Sequence, residues 1–349
     1  MKIAMIGSGA AGSVFAAYLK LGGAELWLVD RYKAHMDKIA DDGLEFRELG
    51  VTRLLTGFHT AESAADIGVM DVVILMVKAT QTDGIMPSVM PCIGGNTVVV
   101  SLQNGIGNDL TLSKYVSAER ILYGFGRIGT ELPAPGVCVG KPESGIIMRF
   151  GPAEESELSR GVGLELERIF NAGGCCTRYE QNVKPFVWKK AVANSGYNAA
   201  AAVLGLKVGP VLADPAGTEL VKSLWAEGCA VAKAAGAGDL WPEFVEELEA
   251  LRHGFGDYYP SMAQDVLLFK RQTEIMYLNG AIAEYGRRFG IPTPVNTAMT
   301  QIISCIQANY DSGYERKKIH PSGWIFCAQS VKKHVQRGTD KRAAGELEG

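Results

Sequence analysis

Short apolar runs alternate with helix-length segments over roughly the first half of the chain. After a charged first residue, the runs Lys2–Ile6 (KIAMI) and Glu25–Val29 (ELWLV) are apolar, a pattern that predicts strands buried on both faces. Two more runs of this kind occupy residues 69–77 and 97–102, and residues 80–90 between them are long enough for a crossover helix. Strands that alternate with helices predict an α/β fold built on a doubly wound parallel sheet.

The strand-like pattern fades beyond about Tyr179. Long segments rich in Ala, Leu, Lys and Glu follow and predict helices. We therefore expect a sheet domain at residues 1–179, a helical domain at residues 180–336 and a frayed tail at residues 337–349.

Three glycines follow the first predicted strand as G-x-G-x-x-G. They are Gly7, Gly9 and Gly12, a helix is predicted after them, and Asp30 ends the next strand. That context is typical of a dinucleotide-binding loop, in which the glycines permit a tight turn, a close approach of a pyrophosphate and close packing of the helix on the sheet. The alternative is a glycine-rich turn in some other α/β protein.

The residues at the end of the second strand favour opposite cofactors. Asp30 would accept a hydrogen bond from a ribose 2′-hydroxyl and repel a 2′-phosphate, which favours NAD(H). Arg31 could bind a 2′-phosphate, which favours NADP(H). Spacing alone leaves both cofactors open.

Polar residues follow two further predicted strands, at residues 78–82 (KATQT) and 103–107 (QNGIG). Ligands of doubly wound sheets bind beyond the carboxyl ends of the strands, so both sets could face a cofactor, and solvated loops are the alternative. In the helical half, Lys190, Asn194 and Asn198 are four residues apart and share one helix face. That face either meets a polar ligand or is an ordinary solvated surface.

Composition narrows the range of partners. The 349 residues suggest roughly two domains, and the formal charge of -3 gives no general attraction to nucleic acid or anionic lipid. The seven cysteines lack metal-type spacing, so we expect free thiols and no metal site. Glycines and Lys20 interrupt the N-terminal apolar run, and no run reaches membrane-spanning length. We expect a cytoplasmic protein that binds a small molecule, with an apolar cluster at residues 324–327 that would suit a homodimer contact.

Five motifs in this order resemble the ketopantoate reductase (2-dehydropantoate 2-reductase) family over about residues 1–310. They are G-S-G-A-A-G at the start, V-K-A-T-Q-T, L-Q-N-G-I-G, W-K-K-A-V-A-N-S-G-Y-N, and S-M-A-Q-D followed by T-E-I-M-Y-L-N-G. The resemblance implies a Rossmann domain, an all-helical C-terminal domain and an active site in the cleft between them. It also implies NADP(H)-dependent reduction of 2-dehydropantoate to (R)-pantoate, a step toward pantothenate and coenzyme A.

The resemblance also implies roles for individual residues. Lys190 matches the family's catalytic lysine, a general acid that protonates the carbonyl oxygen as hydride arrives from nicotinamide C4, and Glu274 matches a carboxylate beside it. Asn104, Asn194, Asn198 and Ser261 match substrate-binding positions, and Ser261 is also expected to be the N-cap of a helix. The cofactor-binding positions are Gly7, Ser8, Gly9, Ala10, Ala11, Gly12, Asp30, Arg31, Lys78 and Asn104.

Three departures from the family pattern bear on cofactor and substrate. Asp30 replaces a small neutral residue, which leaves NAD(H) open although Arg31 favours NADP(H). Val208 stands where an asparagine that contacts substrate is common, and the spacing from Ser261 to Glu274 is one residue longer than usual. Reduction of another 2-oxo acid by the same lysine is therefore one alternative, and a non-catalytic dinucleotide sensor is another.

Overall fold

The structure, a computed structural model, describes residues 1–251 and 258–312. By its internal contacts the chain divides into two compact units, Met1–Gln307 and Ala308–Gly349. The first unit holds all the sheets and nearly all the helices described below. The predicted homodimer cluster at residues 324–327 and the predicted tail at residues 337–349 lie outside the described residues.

The described residues form twelve β-strands. In chain order the strands are β1 (Lys2–Ile6), β2 (Glu25–Val29), β3 (Leu44–Glu48), β4 (Val51–Leu55), β5 (His59–Ala61), β6 (Met70–Leu75), β7 (Ile93–Ser101), β8 (Ile121–Gly126), β9 (Ile128–Ala134), β10 (Val137–Pro142), β11 (Met148–Pro152) and β12 (Thr177–Tyr179).

Twelve α-helices accompany these strands in the same described ranges. They are α1 (Ala10–Leu21), α2 (Lys33–Asp42), α3 (Thr82–Val89), α4 (Asn108–Leu112), α5 (Glu157–Ala172), α6 (Lys184–Leu204), α7 (Val208–Ala213), α8 (Pro215–Ala234), α9 (Trp241–Leu251), α10 (Ser261–Gln264), α11 (Asn279–Phe289) and α12 (Pro294–Ala308). None of the described helices is both long and apolar enough to cross a membrane.

Eight strands form one sheet in the order β12-β11-β8-β7-β6-β1-β2-β5. Neighbouring strands are parallel except for the antiparallel pair β8 and β11. The strand order reverses at β1, so this strand marks the switch point where doubly wound sheets bind their ligands. The structure confirms the predicted fold class, a doubly wound sheet followed by a helical part.

The strands β1 and β2 coincide with the two apolar runs at the start of the chain. Along β1 the side chains alternate between two cores: Ile3 and Met5 pack on one face of the sheet, and Ala4 and Ile6 on the other. A strand covered on both faces has no polar face to present, which explains its continuous apolar sequence.

A second sheet, which the sequence did not lead us to expect, has the order β4-β3-β10-β9. The helix α1 packs against both sheets, and every residue from Gly12 to Leu19 is buried. A helix between two sheets needs apolar or small residues all round, which is the composition of α1.

The helical part begins with α6, which packs on α8. A Cβ atom added to Gly196 of α6 would lie 2.3 Å from Nε1 of Trp225 on α8. The same indole nitrogen donates a hydrogen bond to the carbonyl oxygen of Ala193 at 3.2 Å. Gly196 thus lets the two helices approach closely, and the hydrogen bond from Trp225 links them at this point.

Candidate active site

The glycine-rich loop joins β1 to α1 at the switch point of the sheet. Gly7 has a φ of +90° that favours glycine, and a Cβ atom on it would lie 2.7 Å from the backbone nitrogen of Val77. A Cβ atom on Gly12 would lie 2.0 Å from the carbonyl oxygen of Gly7, whereas one on Gly9 would have no atom within 4 Å. Gly7 and Gly12 are therefore required by the protein's own packing, while Gly9 borders open space into which a ligand could reach.

The N-terminus of α1 offers donors to that open space. Gly9 is the N-cap residue, and among the described residues no side chain caps it and no acidic residue occupies the first turn. The first N–H groups of the helix are thus available to an anion, and the helix dipole favours negative charge there. The Ser8 side chain, by contrast, is fully buried, so only the backbone of Ser8 is available for contact with a ligand.

A cavity of about 610 Å³ adjoins the loop. Asp30 and Arg31, which follow β2, both line it, as do Gly7 and Val77. The Oδ1 atom of Asp30 accepts a hydrogen bond from the backbone N–H of Tyr32 at 2.9 Å, while Arg31 is exposed. The two residues with opposite cofactor preferences therefore share one cavity.

A buried histidine that the sequence did not single out supports the loop from behind. Nδ1 of His35 accepts a hydrogen bond from Gly136 N–H at 2.8 Å, so Nε2 carries the proton and donates to Oγ of Ser13 at 2.9 Å. The Ser13 hydroxyl in turn donates to the carbonyl oxygen of Ser8 at 2.7 Å. Burial lowers the pKa of His35 and so favours the neutral ring, which fixes the direction of these hydrogen bonds.

Lys190 lies on α6 and reaches the sheet. Its Nζ atom donates to Oδ1 of Asn104 at 2.7 Å and to the carbonyl oxygen of Gly126 at 2.6 Å, and it lies 5.0 Å from the ring centroid of Phe125. Burial lowers the pKa of Lys190 to about 8, and the charge of Glu274 opposes that shift. An ammonium group with this pKa can release a proton near neutral pH.

Asn104 connects Lys190 to Glu274. Its amide oxygen accepts from Lys190, and its amide nitrogen donates to Oε2 of Glu274 at 3.2 Å. Burial raises the pKa of Glu274, and the hydrogen bond from Asn104 partly offsets that effect. The structure thus brings the three predicted residues together, with Asn104 bridging the lysine and the carboxylate.

Close backbone packing holds this arrangement. Gly105 has a φ of +102°, and a Cβ atom on it would lie 2.5 Å from the carbonyl oxygen of Tyr277. The same oxygen accepts a hydrogen bond from Ile106 N–H at 2.9 Å. The loop after β7 is therefore tied to the turn that follows Glu274.

Lys78 has partners that the sequence did not single out. Its Nζ atom lies 2.7 Å from Oδ2 of Asp265 and 2.7 Å from the carbonyl oxygen of Gln272. Asp265 is buried and also accepts from Nε of Arg271 at 2.5 Å. The residue predicted to contact a cofactor thus pairs with a carboxylate of the helical part.

The segment that carries Asp265 has unusual backbone geometry. Residues Asp265–Phe269 form a π-helix, and Lys270 follows in the left-handed region with a φ of 47°. A π-helix accommodates an extra residue within a helical segment. This geometry lies between Ser261 and Glu274, where the resemblance predicts one extra residue.

The predicted substrate residues differ in exposure. Asn194 is half-buried and its Oδ1 accepts from the Tyr197 hydroxyl at 3.2 Å, whereas Asn198 is buried and its Oδ1 lacks a hydrogen-bond partner among the described residues. Ser261 is exposed at the start of α10, which packs on α6. The expectation that Ser261 is an N-cap is wrong: Pro260 occupies that position, and Ser261 is the first helical residue.

Two charged residues beside Lys190 were also missed. Arg127 directly follows Gly126 and forms an ion pair with Glu143 at 2.7 Å between Nη2 and Oε2. A single arginine between two glycine-containing runs carries no recognisable pattern, so only the fold reveals its place.

Val208, which departs from the family pattern, is fully buried at the start of α7.

Comparison with known proteins places these features in a family. The family model described as "Ketopantoate reductase PanE/ApbA" matches residues 3–148, and "Ketopantoate reductase PanE/ApbA C terminal" matches residues 182–307. The 2-dehydropantoate 2-reductase of Aquifex aeolicus (strain VF5) is 31% identical over 318 residues, which cover 87% of this chain and 96% of the relative.

Solved structures point the same way. The 2-dehydropantoate 2-reductase of Geobacter metallireducens GS-15 superposes with a TM-score of 0.79 at 27% identity, covering 87% of this chain and 99% of the other. A D-mandelate dehydrogenase in a ternary structure with NADH and anilino(oxo)acetate gives a TM-score of 0.78 at 26% identity, with coverage of 88% and 99%.

Proposed function

Since the chain belongs to the ketopantoate reductase family, an oxidoreductase family, we propose that it reduces a 2-oxo acid to a 2-hydroxy acid with a nicotinamide dinucleotide. The first candidate is reduction of 2-dehydropantoate to (R)-pantoate in pantothenate and coenzyme A biosynthesis. The observation that carries the proposal is the hydrogen-bonded series from Lys190 through Asn104 to Glu274.

The residues around the glycine-rich loop fit a dinucleotide. The open space at Gly9 and the uncapped N-terminus of α1 suit a pyrophosphate, and Asp30 and Arg31 line the cavity where the second ribose would lie. When bound, the dinucleotide supplies a hydride to the carbonyl carbon of the substrate. We infer that residues 1–179 hold this cofactor, with Lys78 and Asn104 on its nicotinamide side.

Lys190 would act as the general acid. As hydride adds to the carbonyl carbon, the π electrons of the carbonyl bond move to oxygen, which becomes negatively charged. The Lys190 ammonium stabilises this negative charge and donates its proton to the oxygen. Asn104 accepts from the ammonium and so fixes its direction. Glu274 favours the charged form of Lys190 through its negative charge.

Asn194, Asn198 and Ser261 would bind the polar substituents of the substrate. The Oδ1 atom of Asn198 has no hydrogen-bond partner among the described residues although it is buried, which is costly unless a donor reaches it. A substrate hydroxyl would supply such a donor once the surrounding side chains move.

A second candidate is reduction of a different 2-oxo acid, with NADH as the reductant. It is supported by Asp30 in the cofactor cavity, by Val208 in place of an asparagine, and by the π-helix after Ser261. The D-mandelate dehydrogenase that superposes on this chain is a structure with NADH.

The test is to follow oxidation of NADPH and NADH in parallel with 2-dehydropantoate and a panel of other 2-oxo acids. Rapid turnover of 2-dehydropantoate with NADPH supports the first candidate and indicates that Arg31 has a larger effect than Asp30 on cofactor preference. Turnover of another 2-oxo acid, or with NADH alone, supports the second. Binding of both cofactors without any turnover would instead favour a non-catalytic dinucleotide sensor.

The lysine is tested by Lys190→Ala. General acid catalysis contributes about 100- to 10,000-fold, so we expect kcat to fall by that factor while dinucleotide binding is retained. The matched control is Lys189→Ala on the same helix, since Lys189 pairs with Glu243 at the surface. Near-normal turnover of Lys190→Ala would contradict the assignment.

A further inference from the structure

Arg127 lies on the face of the sheet that α6 covers. Along β8, Tyr123 and Phe125 pack with Val183, the N-cap residue of α6, and with Val187 in its first turn. Successive side chains of a strand alternate between faces, and the pairing of Arg127 N–H with the carbonyl oxygen of Ile147 at 2.6 Å continues the strand backbone by one residue. Arg127 is therefore the next side chain in the row that begins with Tyr123 and Phe125.

The opposite face of β8 confirms this alternation. Leu122 belongs to the core on the other side of the sheet, and a Cβ atom on Gly126 would lie 2.4 Å from Phe15 of that same core. Gly126 thus faces α1, and its neighbours Phe125 and Arg127 face α6.

The same row leads to Lys190. The ammonium group of Lys190 lies 5.0 Å from the ring centroid of Phe125 and donates to the carbonyl oxygen of Gly126. Arg127 follows both residues directly, so its side chain leaves the backbone beside the ammonium group. Its charge lowers the pKa of Lys190 and that of Glu143 raises it, as expected of two groups near this lysine.

The current partner of Arg127 is a weak competitor. Oε2 of Glu143 accepts from Nε of Arg127 at 3.0 Å and from Nη2 at 2.7 Å, and each of the two side chains is 55% exposed. Ion pairs this exposed contribute little because water and salt screen them. A carboxylate from a ligand could therefore replace Glu143 at small cost.

A cation would bind the substrate carboxylate more strongly than neutral donors do. Lys190 is assigned to the carbonyl oxygen, Asn194 and Ser261 are neutral, and Lys78 is paired with the buried Asp265. A guanidinium group presents two parallel donors that match the two oxygens of a carboxylate.

We propose that Arg127 binds the carboxylate of the 2-oxo acid substrate and that Glu143 is its counter-ion in the substrate-free protein. This assignment rests on the proposed reductase function and deepens it. It makes the free carboxylate a source of affinity, so open-chain 2-oxo acids should be reduced in preference to their esters or lactones.

The test compares a 2-oxo acid that the wild type reduces with its methyl ester. A hydrogen-bonded charge contact is worth about 10- to 100-fold in affinity, so Arg127→Met should raise KM for the acid by that factor, with kcat changed little and the ester unaffected. Arg127→Lys should restore part of the loss, because it keeps the charge but not the paired donors. Glu143→Gln should lower KM for the acid, because it removes the competing carboxylate.

Binding of oxamate, an amide analogue of a 2-oxo acid, gives a readout that does not need turnover. In calorimetry with cofactor present, Arg127→Met should weaken oxamate binding by the same factor. The matched control is Arg168→Met, since Arg168 forms a comparable exposed ion pair with Glu165 on α5. That variant should bind and reduce as the wild type does.

The two proposals fail in different ways. If the wild type reduces 2-oxo acids but Arg127→Met leaves the ratio of acid to ester unchanged, the assignment of Arg127 is wrong and the reductase function stands. If the wild type reduces none of them but Arg127→Met abolishes oxamate binding, the reductase function is wrong and Arg127 is still a carboxylate site.

Discussion

The glycine-rich loop and the segment from Ser261 to Tyr277 both contribute to the candidate site, and they are built in different ways. In the loop, the contacts that require Gly7 and Gly12 come from within the loop and from the adjacent strand end at Val77. In the later segment, Asp265 and Glu274 find their partners at Lys78 and Asn104, which are 187 and 170 residues earlier in the chain.

The difference separates local from long-range determination of a site. A turn that follows a buried strand and precedes a helix has few available conformations, so most of its shape follows from residues close in sequence, and Val77 adds one contact from the neighbouring strand end. The segment 261–277 has a π-helix and a left-handed residue at Lys270, and neither is favoured locally. Its conformation depends on the contacts it makes with the sheet.

The largest expected effect comes from breaking the local packing of the loop. In Gly12→Ala the new Cβ atom would lie 2.0 Å from the carbonyl oxygen of Gly7, a backbone atom that cannot move without displacing the turn. We expect a loss of about 3 kcal/mol or more in the free energy of unfolding, measured by urea denaturation.

Gly9→Ala is the matched control for that variant. A Cβ atom on Gly9 meets no protein atom within 4 Å, so stability should fall by at most about 1 kcal/mol, the cost of a poorer N-cap. Dinucleotide binding should nevertheless weaken, because the added methyl group enters the space that faces the ligand. Each 1.4 kcal/mol lost from the free energy of binding raises Kd about tenfold. Equal stability of the two alanine variants would contradict the distinction between packing and ligand-facing glycines.

The next effect tests the long-range anchor of the later segment. Asp265 is buried and holds both Lys78 and Arg271, so Asp265→Ala removes charge-assisted hydrogen bonds on two sides. Because Lys78 and Arg271 are partly exposed and regain water, we expect a cost of about 1 to 3 kcal/mol, measured by urea denaturation.

An exposed carboxylate provides the comparison. Asp239 pairs with Lys233 at 2.8 Å at the surface, where water screens the charges, so Asp239→Ala should destabilise the protein much less. If Asp265→Ala is no more destabilising than Asp239→Ala, the segment does not depend on its contact with Lys78.

The same contrast explains how far the sequence could predict the structure. The strands Lys2–Ile6 and Glu25–Val29 were predicted with their observed bounds, because burial on both faces leaves a plain apolar run. The second sheet was missed: β4 is exposed along nearly its whole length and shows no clear alternation of apolar and polar residues.

For the site, residue types could be predicted more readily than contacts. The resemblance singled out Lys190, Asn104 and Glu274, and the structure brings them together. The resemblance did not reveal that Asn104 lies between Lys190 and Glu274, because that arrangement depends on the packing of Gly105 against Tyr277. Pairings between distant segments leave no periodic trace in a single sequence.

The smallest effect expected is a pH dependence at Lys190, which the later segment reaches through Glu274 and Asn104. Burial lowers the pKa of Lys190 to about 8, and the protonated form is the one that donates in reduction. The kcat/KM for reduction, which reports groups of the free enzyme, should therefore be constant below pH 8 and fall about tenfold per pH unit above it, whereas kcat/KM for oxidation of the hydroxy acid should increase up to pH 8 and then level off.

The later segment should influence this pH profile through Glu274, whose negative charge raises the pKa of Lys190. In Glu274→Gln that contribution is removed, so the midpoint of the kcat/KM profile for reduction should move below 8. Arg127→Met should move it above 8, because the positive charge of Arg127 lowers the same pKa. Shifts in these opposite directions would identify Lys190 as the titrating group, and a midpoint that neither variant moves would assign the titration to a different residue.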